Sequence, residues 1–213
     1  MDTKRYYDDI YYTKEGRITK MQGFCVKSVL RERQFILKWA LKKMPLSILD
    51  LGCGKGHFTD FMESRGYDVT GVDISRVVIS QAKKLYPKCK FLIHNLEYSP
   101  LQKKYDMIYS TQVIEHIFDL DRFLTNIRNS LDSNGILILA TPNVLAPKIR
   151  LKMLFGNDST FRDLAHLRFF SPSHLSEILR KNGFRIRELS GSGKISFLSV
   201  NLCGNILVAA EKM

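Results

Sequence analysis

Three glycines at two-residue spacing, Gly52-x-Gly54-x-Gly56, hold the most chemical promise in this 213-residue sequence. They follow an apolar run, Ile48 to Leu51, that reads as a buried strand. Beyond them Phe58, Phe61 and Met62 recur at helical spacing. A glycine turn between strand and helix lets a ligand approach bare backbone, and a doubly wound α/β domain opens this way when it holds a nucleotide-like cofactor. The spacing then selects among cofactors. A dinucleotide site needs GxGxxG, whose third glycine allows close helix packing, and His57 stands at that position. No GxxxxGK[ST] run is present, so a triphosphate P-loop is excluded.

The elements that must position this turn alternate along the chain. A helical stripe from about Phe24 to Met44, stopped by Pro45, predicts an N-terminal helix over the mouth of the sheet. Asp68 to Asp73 reads as a second strand ending in an acid, with Ser75 as N-cap of the next helix. Phe91–Ile93 and Tyr105–Ser110 are third and fourth strands. Leu120, Phe123, Leu124, Ile127 and Leu131 share one helix face, opened by Asp119 or Asp121. Asn134-Gly135 turns the chain into a fifth strand, Ile136–Ala140. Residues 142–170 break the rhythm. Their basic, apolar stretch Lys148–Phe155 has no clean amphipathic face, which suits a lid covered on both sides. Ser171-Pro172 starts a helix that Gly183 ends, and Phe184–Leu189 and Ile206–Ala210 are the last strands. The expected fold is α/β: a Rossmann-like doubly wound sheet of about seven strands, mostly parallel with an antiparallel C-terminal strand. It forms a single domain over 1–213, divided into arm and helix (1–45), cofactor-binding core (46–141), lid insertion (142–170) and C-terminal helix and strands (171–213).

Composition bounds the function classes. Hydrophobic residues make up 45% and charged residues 25%, ordinary for a globular chain. No run is long enough to span a bilayer, and residues 1–10 lack the apolar core of a signal peptide. The four cysteines, Cys25, Cys53, Cys89 and Cys203, have no CxxC pair or histidine at metal-ligand spacing, so reduced thiols in a cytoplasmic protein are expected. Of the net charge of +12, residues 1–50 and 145–194 carry all but one unit. Such a charge suits an anionic membrane or an acidic small molecule, or it is a plain solvated surface.

The combination of Asp50, the glycine turn and Asp73 resembles the first two motifs of class I S-adenosylmethionine-dependent methyltransferases. Glu115-His116, Thr141-Pro-Asn143, His166-Leu-Arg-Phe-Phe-Ser171 and Gly183-Phe184 give it the flavour of the ubiquinone-biosynthesis O-methyltransferase branch. The resemblance implies S-adenosyl-L-methionine as cofactor and S-adenosyl-L-homocysteine (SAH) as product. It assigns Asp73, with the adjoining Ile74, to the cofactor ribose. Asp50, Gly52, Cys53 and Gly54 fall to the methionine part, as do Thr111 and Gln112, while Asn95 and Leu96, with Glu97 beside them, fall to the adenine. A strand-end acid capping Ser75 is the other reading of Asp73. Relatives place an arginine of the N-terminal helix on the cofactor carboxylate, and Arg31 and Arg33 both qualify. Ubiquinone-type members often carry Glu-x-x-Glu-His at 112–116, a cluster suited to a divalent ion. Gln112 removes one carboxylate here, so no metal is expected.

Methyl transfer from a sulfonium needs alignment of the acceptor and exclusion of water, and a hydroxyl acceptor also needs a base. His116, Glu115 and His166 are the candidates for that base. The alternative for Glu115 and His116 is hydrogen bonding that holds the following loop, and for His166 a tie from lid to sheet. His57, His94 and His174 read as surface or capping residues. The expected function is methyl transfer to a small-molecule acceptor, most simply at a hydroxyl oxygen. RNA or protein methylation is the alternative among enzymes, with exocyclic base nitrogens disfavoured because Ser110-Thr-Gln-Val113 lacks an Asn/Asp-Pro-Pro-aromatic motif. A non-catalytic cofactor-binding module at a membrane or partner surface is the alternative outside enzymes.

Overall fold

Alternating apolar strands and amphipathic helices assemble into one seven-stranded sheet. The computed structural model describes residues 26–156, 166–192 and 199–213. In chain order the elements are α1 (Val26–Lys43), β1 (Ile48–Leu51), α2 (His57–Glu63), β2 (Val69–Asp73), α3 (Arg76–Leu85), β3 (Lys90–Ile93) and β4 (Tyr105–Thr111). A short 3-10 turn, Ile114–His116, leads into α4 (Leu120–Ser130), β5 (Leu131–Pro142), α5 (Pro147–Leu154), α6 (Pro172–Lys181), β6 (Phe184–Ser192) and β7 (Asn205–Lys212). Residues 1–25, which include the expected N-terminal arm, lie outside the described residues.

The strand order is β3-β2-β1-β4-β5-β7-β6. Strands β1 to β5 pair in parallel, and β7 runs antiparallel between β5 and β6. The order reverses at β1, whose neighbours are β2 and β4, so a crevice opens beyond the carboxyl ends of β1 and β4. Strand alternation splits the core. Leu137 and Leu139 face α4 and α6 with Leu49, Phe123 and Leu175, while Ile136 and Ile138 face α1 with Ile48, Met107 and Trp39. Each such fully buried side chain contributes about 1.5–3 kcal/mol. Helix boundaries follow the capping residues: Ser75 Oγ accepts from Val78 N at 3.2 Å, Asp119 Oδ1 from Arg122 N at 3.0 Å, and Ser171 Oγ from His174 N at 3.3 Å.

Three expectations change. Helix α1 does not lie over the mouth of the sheet; its stripe Phe35, Ile36, Trp39 and Ala40 is buried on one sheet face, because only a face offers enough apolar area. Salt bridges Lys38–Glu188 and Lys43–Glu211, at 2.7 and 2.6 Å, tie its outer side to β6 and β7. Strand β5 begins at Leu131 rather than Ile136: Leu131 pairs with Tyr105, the register slips before Ile136 pairs with Met107, and 132–134 project as an exposed irregularity. In the lid, 147–154 is helical, but Leu151, Leu154 and Phe155 are exposed among the described residues rather than covered.

Candidate active site

The glycine turn is shaped by what surrounds it. Gly52 and Gly56 have φ near +80°, a region that costs side-chain-bearing residues about 1–2 kcal/mol. A methyl on Gly52 would also sit 2.3 Å from Val113 Cγ2, and one on Gly56 2.5 Å from the Phe91 ring. Gly54 faces open space, and its amide donates to Asp73 Oδ2 at 3.1 Å. Asp73 Oδ1 accepts from Ser75 N at 2.9 Å, so the acid does hold the start of α3. A carboxylate offers about four lone-pair sites, and Asp73 also lines the crevice. The two readings of Asp73 are therefore compatible.

That crevice encloses about 720 Å³, open solvent at its mouth included. Gly52, Asp73 and Ile74 form one wall, Asn95 and Leu96 another, and Gln112 and His116 a third. Ile117 and Phe123 add apolar surface that sequence reasoning missed, as does His94, which had read as a surface residue. Their place becomes predictable only once α4 and the loop before it are known to fold back over β4. Gln112 is held with φ +57°, its amide bonded to Ala140 O at 2.8 Å, a strained conformation for a residue with a side chain. Glu97 lines the crevice beside Asn95 and Leu96, and its Oε1 accepts from the amides of Phe118 and Asp119 at 2.8 and 2.9 Å. Asn95 Oδ1 is used locally, accepting from Glu97 N at 2.9 Å.

Asp50, Cys53, Gly54 and Thr111 are not on the crevice wall. Residues alternate along β1, so Asp50 points away from the face used by Leu51 and lies beneath the turn. Thr59 Oγ1 of α2 donates to Asp50 Oδ2 at 2.6 Å, which joins β1 to the helix after the turn. Burial raises the Asp50 carboxyl to about 7, against the lowering influence of Thr59 and of the Arg33 guanidinium. Of the two arginines, Arg33 is the one near this carboxylate; it also sits 5.1 Å from the Phe58 ring centre. Tyr109, wholly buried, has its hydroxyl pushed up by burial and the Asp50 charge. Cys53, Cys89 and Cys203 are free thiols, and burial raises the pKa of each, which suits no redox role.

The three base candidates come together, with His116 on the lining of the crevice. Glu115 is 2% exposed. Its Oε2 accepts from Thr141 Oγ1 at 2.9 Å, while Oε1 is buried with no hydrogen-bond partner among the described residues. His116 Nε2 lies 3.9 Å from Oε1. Burial lifts the Glu115 carboxyl to about 7, and the charge of Glu32 on α1 adds to the rise. The rings of His116 and His166 lie 4.8 Å apart. One oxygen of Glu115 and one nitrogen of each histidine all fall within 4.8 Å of one another, a donor set that could hold a divalent transition ion. Asp60, Glu63 and Cys89 form a second such group on the surface, remote in role from the crevice. His57 and His174 take structural parts, the first against the Tyr86 hydroxyl at 2.5 Å and the second against the Phe170 ring.

A family model described as a methyltransferase domain matches residues 19–189. The chain is 29% identical over 157 residues to the ubiquinone biosynthesis O-methyltransferase of Rickettsia canadensis (strain McKiel), covering 68% of this chain and 65% of that protein. It thus spans just under two thirds of this relative's length. A S-adenosylmethionine-dependent methyltransferase from Clostridium acetobutylicum superposes with a TM-score of 0.74 at 15% identity, over 95% of this chain and 99% of that one. Magnesium protoporphyrin IX methyltransferase from Synechocystis, with bound SAH, superposes at 0.70 and 18% identity, over 99% and 98% of the two chains. At such identities these structures establish a shared fold.

Proposed function

The chain belongs to the methyltransferase-domain family, and on that premise we propose that it transfers the methyl group of S-adenosylmethionine to a hydroxyl oxygen of a small-molecule acceptor. The crevice fits this cofactor. Asp73 offers a carboxylate at its wall for the ribose hydroxyls, and Leu96, Ile117 and Phe123 offer apolar faces for an adenine. Gly52 lines the crevice with bare backbone, and Val113 packs against it where a side chain would collide. When bound, S-adenosylmethionine supplies an already activated methyl on a sulfonium, so the chain's own work is alignment and proton removal.

The observation that carries the reading is the meeting of Glu115, His116 and His166 beside the crevice that Asp73 and His116 line. His116, the member of the trio that lines the crevice, would take the proton of an acceptor hydroxyl held there, while bound S-adenosylmethionine would supply the methyl group. Glu115 Oε1 then faces the imidazolium, and a carboxyl titrating near neutrality is well matched to that task. His166 packs against His116 and sets its ring. The exposed basic and apolar residues of α5, among them Lys148, Arg150, Leu151 and Leu154, favour an acceptor, or a surface presenting it, that is both apolar and anionic.

Calorimetry should show SAH binding, and incubation of quinols, sugars and lipids with S-adenosylmethionine should give one product heavier by a methyl group. No SAH binding would overturn the cofactor assignment. Transfer to nitrogen or carbon alone would overturn the hydroxyl acceptor.

A further inference from the structure

Residues 117–119, at the crevice wall, are gripped from two sides through the same two peptide groups. The N–H groups of Phe118 and Asp119 both donate to Glu97 Oε1, at 2.8 and 2.9 Å. The carbonyls at the other ends of those peptide groups, of Ile117 and Phe118, accept from Arg168 Nε and Nη2, at 3.2 and 2.8 Å. Glu97 and Arg168 are thus an ion pair with two peptide groups inserted between the charges. Each peptide is polarised by a carboxylate at its N–H and a guanidinium at its C=O, an arrangement in which each bond strengthens the other.

The two grips belong to different parts of the site. Glu97 follows Asn95 and Leu96, which line the crevice, and Ile117 lines it too. Arg168 is outside the crevice, two residues after His166, and the amides of Leu167 and Arg168 both donate to Glu115 O, at 3.0 and 3.1 Å. We propose that this peptide-bridged clamp transmits occupancy of the cofactor crevice to the segment 166–170, with Arg168 as a positioning residue for both Ile117 and His166. The inference rests on the cofactor reading above. A ligand that presses against Ile117 and Leu96 orders the clamped peptides, and the cost of ordering the segment that carries His166 is then already met. By linkage the reverse holds as well: ordering 166–170 tightens the cofactor site.

Hydrogen exchange on the full chain, with and without SAH, tests this together with SAH calorimetry. In the wild type, SAH should slow exchange of the 166–170 amides, although Leu167 and Arg168 do not line the crevice. Arg168→Ala should weaken SAH binding about 5- to 10-fold, a loss typical of coupling between sites, and abolish the transferred protection. Arg168→Lys, a point charge that can hold one carbonyl and not both, should fall between, and it carries the test if the alanine variant melts early. Combined with Glu97→Gln, the two effects should be less than additive. SAH binding that leaves 166–170 exchange unchanged, or Arg168 variants that bind SAH at wild-type affinity, would overturn the clamp and leave the cofactor assignment standing. Failure of the wild type to bind SAH would overturn both.

Discussion

Replacing Asp73 with Asn separates the two duties of this side chain. In the native site Oδ1 accepts from Ser75 N at 2.9 Å and Oδ2 from Gly54 N at 3.1 Å. Asparagine keeps one acceptor oxygen and turns the other position into an NH₂ donor facing a backbone N–H. One buried amide is then left unsatisfied, at about 1–3 kcal/mol of stability. The ribose loses more. Two hydroxyl donors that met a carboxylate now meet a neutral amide with one usable oxygen. At about 1.5–3 kcal/mol for each charge-assisted bond, the loss is of one strong bond or somewhat more, so SAH affinity should fall about 10- to 200-fold. Asp73→Ala removes both bonds and should lose about a hundredfold or more. Calorimetry reads the affinity and urea titration the stability, so the two costs are measured apart. An Asp73→Asn protein that is destabilised yet binds SAH at wild-type affinity would refute the ribose assignment, leaving Asp73 as a turn-and-helix clasp alone.

Glu115→Gln should leave SAH affinity within about twofold and lower turnover by about 10²-fold, measured on whichever acceptor the methyl search identifies. The carboxyls of Glu115 and Asp50 are both raised to about 7 from 4.5 and 3.8. Between those limits the folded state binds more protons than the unfolded chain, so stability falls as pH rises from about 4 to 7. For Glu115 the swing is on the order of 3 kcal/mol, and Glu115→Gln should flatten the melting-temperature profile by that share. Gly52→Ala should abolish SAH binding, since its methyl meets Val113 Cγ2 at 2.3 Å; adding Val113→Ala should relieve the contact and leave about 1–2 kcal/mol of backbone strain, read by thermal melting. Chelation with EDTA should leave turnover unchanged if Glu115 and His116 act as proton acceptors alone, whereas lost turnover restored by Zn²⁺ or Mn²⁺ would make the trio a metal centre.

Much of the site was legible because its signals are local. A buried strand followed by glycines needs no distant contact to be recognised, and Ser75, Asp119 and Ser171 announce their helices by side chains that cap amides three residues on. What escaped depends on residues far apart in sequence. Nothing near Leu131 says that Tyr105 will pair with it across a slipped register, so β5 was read five residues short. Asp50 has the right type and the right neighbours for the crevice. Only the alternation of a strand whose start is fixed by β2 and β4 sends it under the turn, to Thr59. Glu97 similarly has a second duty that only the loop before α4 reveals, since its carboxylate holds the amides of Phe118 and Asp119.

The place of β7 in the sheet has a bearing on how a ribosome-bound chain can fold. It is the last strand in sequence order, yet it lies between β5 and β6 and hydrogen-bonds to both. A nascent chain that has released residues up to about 200 can assemble the parallel strands β1 to β5, but β6 then has no partner to join. Ile206, Val208 and Ala210 are missing from one face of the core, and Leu207 and Ala209 from the other. The edge of β5 stays unpaired until 205–212 leave the exit tunnel, which makes that edge the aggregation-exposed surface of the half-made protein. Lost pairing along 205–212 would therefore do more damage than its distance from the crevice suggests.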